Sequence, residues 1–257
     1  MTFAILAFLA GILTILSYCI RPVLPFFFNR AEQPFRRGGL PLLAGMAATV
    51  LVGVASAAGT FPNPPKVDVP AAQASESIVL AGGCFWGMQG VFEHVKGVTK
   101  TTVGYAGGQK DTAHYERIEE GDTNHAESIK ITYDPSKITY GEILKIYFSA
   151  AHDPTTLNYQ HNDRGTQYRS VIFYSTEDQK KLAEAYIQEL NAAHVFRNPI
   201  VTQLTQLTPQ IGFFEAEGYH QHFLDQNPTQ GYIEGVDIPL LNEYRAKYPE
   251  YYSDESK

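Results

Sequence analysis

The chain has 257 residues, 44% of them apolar, 18% charged and 12% aromatic, with a formal net charge of −7. That is globular material, enough for a sizeable core in one large or two small domains. The acidity excludes a general nucleic-acid binder, which needs a basic face, and two cysteines, Cys19 and Cys84, exclude a disulfide-rich scaffold.

Thr2 to Ile20 is an apolar run without a charge, close to the ~20 residues that span a bilayer. Gly39 to Ala58 is a second uncharged run, and Arg21, Arg30, Arg36 and Arg37 lie between them against Glu32. The positive-inside rule puts that basic linker in the cytoplasm and everything after residue 60 on the other side. One or two N-terminal hydrophobic helices are therefore expected, either as a membrane hairpin or as a secretory signal ending in Ala55-Ser56-Ala57-Ala58. A later translation start that omits residues 1–37 is the alternative, and it leaves the protein cytoplasmic. Cys19 lies inside the first run, so it is no partner for Cys84. Residues 61–75, with Pro62, Pro64, Pro65 and Pro70, read as an extended linker, and the catalytic domain is expected over 76–257.

Ile78 to Ala81 reads as a short buried strand. Gly82 and Gly83 break it, and Phe85, Met88, Phe92 and Val95 then recur at helical spacing, with Gly97 in the place of a C-cap glycine. Cys84 thus falls at the start of a helix, where unpaired N–H groups and the macrodipole favour a thiolate. Val98 to Tyr105 reads as a strand, followed by a polar loop carrying His114, Tyr115 and Glu116. Residues 127–133 alternate with period two, placing Glu127 on the same buried face as Ile129, Ile131 and Tyr133. A carboxylate there is unusual. Thr139 and Glu142 form a capping-box pattern ahead of a helix with Ile143, Leu144, Tyr147 and Phe148 along one face.

After a polar loop over 152–167 come a strand over Tyr168–Tyr174 and a helix capped by Ser175 or Thr176 that runs to about Ala193. A strand over Ile200–Leu207, a short helix over Glu215–Leu224 and a terminal helix around Asn242–Lys247 complete the order. The pattern β-α-β-β-α-β-α-β predicts an α+β two-layer sandwich: a mixed sheet with a split βαβ, or ferredoxin-like plait, core.

Gly83-Cys84-Phe85-Trp86-Gly87 resembles the active-site signature of the A-type peptide methionine sulfoxide reductases. Later segments match the same family in its order: Val103 to Gly108, His125-Ala126-Glu127, Tyr133-Asp134-Pro135, His152 to Thr155 and Asn162 to Ser170. The likeness extends over roughly residues 77 to 232. It implies reduction of methionine (S)-sulfoxide in oxidised proteins, and of the free amino acid, without metal or organic cofactor.

Reducing a sulfoxide takes a nucleophile for sulfur and an acid for oxygen. Cys84 is the candidate nucleophile. Glu127 is the candidate acid, since burial on an apolar face raises a carboxyl pKa. The resemblance carries over Tyr115 and Tyr168 as hydrogen-bond donors to the sulfoxide oxygen, and Asp163 as an orienting or recycling group. Phe85 and Trp86, the latter the chain's one tryptophan, are the expected apolar wall for the substrate methyl. Many relatives resolve the sulfenic acid with a cysteine just after a Gly-Tyr pair. Here Gly231-Tyr232 is followed by Ile233 and no cysteine follows Cys84. The expected reductant is therefore an external thiol: thioredoxin, glutaredoxin or glutathione.

The catalytic domain is expected to be monomeric. Two rival readings are a cysteine hydrolase or acyltransferase with His125 or His152 as base, and a membrane-tethered binder of oxidised methionine that does not turn over. His220 and His222 make a weak metal motif and read better as helix-surface residues. The glycines over 104–108 lack the Lys-Ser/Thr of a phosphate loop.

Overall fold

A computed structural model describes residues 61–257. The two apolar runs, and the hydrophobic helices expected there, lie outside the described residues. Among the described residues no helix is long and apolar enough to cross a membrane.

Strands β1 (Glu76–Ala81), β2 (Val98–Ala106), β3 (Ala126–Tyr133), β6 (Val171–Tyr174), β7 (Gln203–Gln206) and β8 (Phe213–Glu215) form one sheet in the order β7-β6-β1-β3-β2-β8. Only β6 and β7 pair in parallel. Helix α1 (Phe85–Glu93) links β1 to β2 across β3, the short α2 (Tyr115–Ile118) lies between β2 and β3, and α3 (Tyr140–Ile146) links β3 to β6 across β1. Each crossover skips one strand, which is the split βαβ arrangement. The fold is α+β, as expected.

Period-two patterning sets which face each strand buries. Ile78 and Leu80 of β1, Ile129 and Ile131 of β3 and Ile172 of β6 join the main core. Helices α1, α3, α4 (Glu177–Ala192) and α6 (Ile238–Lys247) supply Met88, Phe92, Leu144, Leu182, Tyr186 and Tyr244 to the same cluster. Each such side chain contributes about 1.5–3 kcal/mol. The intervening residues Val79, Ala81, Val171 and Phe173 form a smaller cluster closed by Leu207 and Phe213.

The expected capping box at α3 forms, and α4 is capped by a second one. Thr139 Oγ1 accepts from Glu142 N at 3.2 Å while Glu142 Oε2 accepts from Thr139 N at 2.9 Å. Thr176 and Gln179 do the same at α4, at 3.2 and 3.4 Å. A hydroxyl cap of this kind is worth about 1 kcal/mol.

Four elements differ from their sequence expectation. Helix α1 ends at a cap on His94, not at Gly97. Gly97 instead makes a left-handed turn against Ile138, with φ +93. Tyr168 lies on a 3₁₀ turn (Thr166–Tyr168), because Gly165 at φ +140 delays the strand to Val171. Glu215, expected to open a helix, ends the edge strand β8, and the helical run is reduced to a turn at Gly218–His220 and α5 (Phe223–Gln226). Helix α6 starts four residues early, on a π-type turn over Ile233–Asp237. Residues 61–75 lie along the domain: Tyr186 donates to Pro62 O at 2.7 Å and Gly141 N to Asp68 Oδ2 at 3.1 Å.

Candidate active site

The β1–α1 turn places Cys84 as the N-cap residue of α1, with φ −57 and ψ 127. Gly83 makes the turn possible. It sits at φ +94, and a Cβ there would fall 2.7 Å from Gln160 Cβ. Gln160 belongs to a two-strand ribbon, β4 (Tyr159–Gln160) and β5 (Asp163–Arg164), so this contact brings Asp163 toward the thiol.

Glu127 reaches the same spot from β3 and is 3% exposed. Its Oε2 accepts from the Phe85 N–H at 3.0 Å. Burial pushes its pKa up to about 8, against the Phe85 N–H, with Glu119, Asp163 and Asp237 adding to the rise. The group is an acid at neutral pH, as the strand pattern leads one to expect.

All seven residues singled out in the sequence line one cavity of about 190 Å³: Cys84, Phe85, Trp86, Tyr115, Glu127, Asp163 and Tyr168, joined by Gln230 and Tyr232. That volume suits a side-chain tip and is small for an organic cofactor. A larger hollow of about 420 Å³, between Phe148, Phe196 and Leu240, contains none of the seven.

The thiolate expectation is corrected. Cys84 is pushed well above an ordinary thiol, first by burial and then by Glu127, Asp237 and Asp163, while the Trp86 N–H acts the other way. The helix terminus favours an anion, but Glu127 already takes the Phe85 N–H, and burial raises the thiol further than the Trp86 N–H lowers it. Before substrate enters, Cys84 is a thiol.

Trp86 is held on three sides. Its Nε1–H donates to His220 Nδ1 at 3.2 Å, Phe223 stacks on it at 3.9 Å and 11°, and Tyr232 meets it edge-on at 6.2 Å. The His220 ring also packs on Phe85 at 5.1 Å and Tyr115 at 4.6 Å. His220 is 2% exposed, not on a helix surface, and burial lowers its pKa. To accept from Trp86 it must be neutral with its proton on Nε2, which lies 3.9 Å from Glu217 Oε2. Glu217 in turn accepts from Tyr115 N at 3.0 Å and Tyr105 O–H at 2.8 Å.

The second half of the His-x-His pair points elsewhere: His222 Nδ1 is 2.6 Å from Glu93 Oε1. Among the described residues no group of three or more His, Cys, Asp or Glu side chains is placed to hold a metal ion.

Both carried-over phenols stay protonated. Tyr115 is pushed up to about 12 by burial and then Glu119, and burial likewise raises Tyr168, whose O–H donates to Glu119 Oε1 at 3.3 Å. Asp163 Oδ2 accepts from Tyr232 O–H at 2.5 Å.

The two histidines of the hydrolase reading do not reach the cavity. His152 has both ring nitrogens engaged, by Tyr147 O at 3.1 Å and Ser170 Oγ at 2.7 Å. His125 sets Nε2 against Gln109 O at 2.9 Å. The sequence reading missed Tyr232, His220, Glu217 and Asp237. Of these, Tyr232 beside Gly231 and the buried member of the His-x-His pair had a visible motif.

A lone thiol and a protonated carboxylic acid facing one aromatic-walled cavity on an α+β sheet define a cysteine-dependent enzyme that acts on a small, apolar-ended group. The family model described as peptide methionine sulfoxide reductase matches residues 76–251. Peptide methionine sulfoxide reductase MsrA 2 of Mesorhizobium japonicum is 52% identical over 191 residues, covering 74% of this chain and 95% of that protein. The protein of the same name from Synechocystis is 43% identical over 210 residues, covering 77% and 96%. Among solved structures, methionine sulfoxide reductase A of Corynebacterium diphtheriae aligns with a TM-score of 0.53 at 34% identity, over 66% of this chain and 84% of that one. Reduced Mxr1 of Saccharomyces cerevisiae aligns at 0.54 and 34%, over 64% and 92%. The chain belongs to the peptide methionine sulfoxide reductase A family.

Proposed function

We propose that this protein repairs oxidised proteins by thiol-dependent reduction of methionine sulfoxide, with Cys84 as nucleophile and Glu127 as acid. The observation that carries the reading is the convergence of that thiol and that acid on one aromatic-lined cavity. The substrate methyl packs on Phe85 and Trp86, and the Tyr115 hydroxyl donates to the sulfoxide oxygen, joined by the Tyr168 hydroxyl as it turns from Glu119. As Sγ attacks the sulfoxide sulfur, the oxygen takes the Glu127 proton and the thiol proton replaces it on the Glu127 carboxylate. The OH group then passes to Sγ as the S–O bond to methionine breaks. Methionine departs with two electrons gained, and Cys84 is left as sulfenic acid. Asp163, held by Tyr232, orients the oxygen-bearing side of the cavity.

The next step needs a second thiol. Ile233, after the Gly-Tyr pair, is fully buried in the domain, and no cysteine follows Cys84. An external thiol attacks Sγ, forms a mixed disulfide and releases water. A second thiol then displaces Cys84 and completes a two-electron oxidation of the reductant. Glutathione, a glutaredoxin or a thioredoxin meets this requirement. The (S) epimer is the substrate the resemblance implies, and the catalytic unit acts as a monomer.

The test is a thiol-driven assay on each methionine sulfoxide epimer, with wild type, Cys84→Ser and Glu127→Gln. Turnover of one epimer, lost in Cys84→Ser, is expected; full turnover in Cys84→Ser sinks the assignment. Mass spectrometry after one turnover without reductant should show sulfenic acid on Cys84.

The apolar runs 2–20 and 39–58 and the basic linker between them support a membrane-anchored or exported enzyme acting on the non-cytoplasmic side. Fractionation of cells expressing the full chain tests this, and full-length protein confined to the soluble cytosolic fraction counts against it.

A further inference from the structure

Trp86, Gln89, Gly90 and Glu93 recur at helical spacing along one side of α1, and the segment 220–224 is laid on that side. His220 Nδ1 accepts the Trp86 indole N–H, and Phe223 stacks on the same ring. Leu224 fills the space that a side chain on Gly90 would take: a Cβ there would fall 2.6 Å from Leu224 Cδ1. His222 lies between the two residues that hold Trp86. It does not line the cavity and reaches instead to Glu93, at the far end of the helix.

His222 is tied down twice. Its Nδ1 is 2.6 Å from Glu93 Oε1, and its backbone N–H donates to Gln89 Oε1 at 2.8 Å. Its backbone is left-handed, at φ +54 and ψ +35, a conformation that disfavours any residue with a Cβ unless something holds it. Glu93 is the anchor. It is 1% exposed, and the Thr101 and Ser256 hydroxyls donate to its Oε1 and Oε2 at 3.1 and 3.2 Å. Burial pushes its pKa up, and His222 acts against that rise. Gln89 is fixed in the same network, its Nε2 donating to Thr101 Oγ1 at 3.2 Å.

We propose that His222, anchored on Glu93, is a positioning residue that sets the Trp86 wall of the cavity, and with it the affinity for the substrate methyl. The tether acts through the chain on either side of it. Two residues before, His220 takes the indole N–H; one residue after, Phe223 covers the indole face. Without the Glu93 contact the left-handed turn relaxes, His220 and Phe223 leave the ring together, and the wall loosens. Neither His222 nor Glu93 lines the cavity, so the loss falls on binding and not on the chemical step. The proposal rests on Trp86 as the wall for the substrate, and emission from the chain's one tryptophan reads its contacts without turnover.

His222→Asn and His222→Asp are compared in the full-length protein. The two side chains share a shape and tolerate the left-handed backbone. They differ in what they offer Glu93: an N–H donor in one, a second carboxylate in the other. His222→Asn should keep wild-type emission, with KM within about twofold. In His222→Asp, KM for methionine sulfoxide should rise about tenfold while kcat changes by less than about twofold. Its emission should move to longer wavelength as water reaches the indole. His222→Gly, which takes φ +54 freely and carries no donor, is read in the same way if His222→Asp does not fold. Unchanged emission or unchanged KM in the folded Asp or Gly variant overturns the proposal, and so does a His222→Asn that loses as much as His222→Asp. A wild type that turns over no sulfoxide counts against the function of the site instead, and the emission comparison still decides the tether.

Discussion

Glu127 is the residue at which folding and chemistry oppose each other. Burial beside Ile129 and Ile131 makes its anion costly, and the same burial keeps it an acid, held up to about 8. The proton it gives to the sulfoxide oxygen is therefore present at neutrality and lost as pH rises through about 8. Sulfoxide reduction should fall along that alkaline limb. Glu127→Gln keeps the Phe85 contact and the shape but removes the proton, so kcat should drop roughly 10²- to 10⁴-fold with little change in KM. A variant that keeps wild-type kcat and the same alkaline limb would falsify the role of acid. Glu127 could be found from sequence because strand alternation exposes a misplaced carboxylate. Asp237 could not, because its burial depends on a close approach to Gly87 from a distant part of the chain.

At the scale of elements, what was legible followed local rules. The β1–Gly-Gly–Cys–α1 turn, the alternation of β3, the Thr139–Glu142 capping box and the cap of α4 at Thr176 are set by neighbours within a few residues, and all appear where the sequence puts them. The misses depend on tertiary partners: β8 exists because β2 offers an edge for Phe213 to Glu215, and the run after it breaks into short turns around His220. That break turns His220 inward to hold Trp86. His220→Phe keeps a ring in the stack but removes the acceptor for the indole N–H. KM for the sulfoxide should rise about tenfold with a smaller change in kcat, near the 1–2 kcal/mol of a lost buried hydrogen bond. Trp86 is the chain's one tryptophan, so its emission spectrum reports the loss directly. His220→Asn, whose Oδ1 takes the place of Nδ1, should restore both signals. Unchanged emission in His220→Phe would refute the contact.

Across the whole molecule, the buried ionisable groups fix how stability follows pH. Glu127 at about 8 and Asp237 at about 7 are raised above the carboxyl values of an unfolded chain. Their stabilising share is complete below those unfolded values and is lost as pH rises through the folded ones. His152, buried and lowered to about 4, works in the other direction. It binds a proton more readily when unfolded, so its own share of stability is lost as pH drops from about 6.5 to about 4. Between about pH 4.5 and 6.5 the two carboxyl groups outweigh the one histidine, so from these three groups stability of the catalytic unit should rise as pH falls from about 8 to about 4.5, most steeply above about 6.5 where the histidine no longer opposes, by about 1.4 kcal/mol per unit for each group left unopposed. Urea unfolding followed at several pH values measures this. Glu127→Gln should flatten the alkaline side most, since Glu127 alone of the three is still gaining charge near pH 8, and should be more stable than wild type there while nearly inactive. His152→Gln should steepen the gain in stability below about pH 6.5 and leave the profile above it unchanged. Parallel profiles for wild type and Glu127→Gln would mean that the carboxyl group titrates as it does in water, and a site that depends on its burial for a proton at neutral pH could then not work.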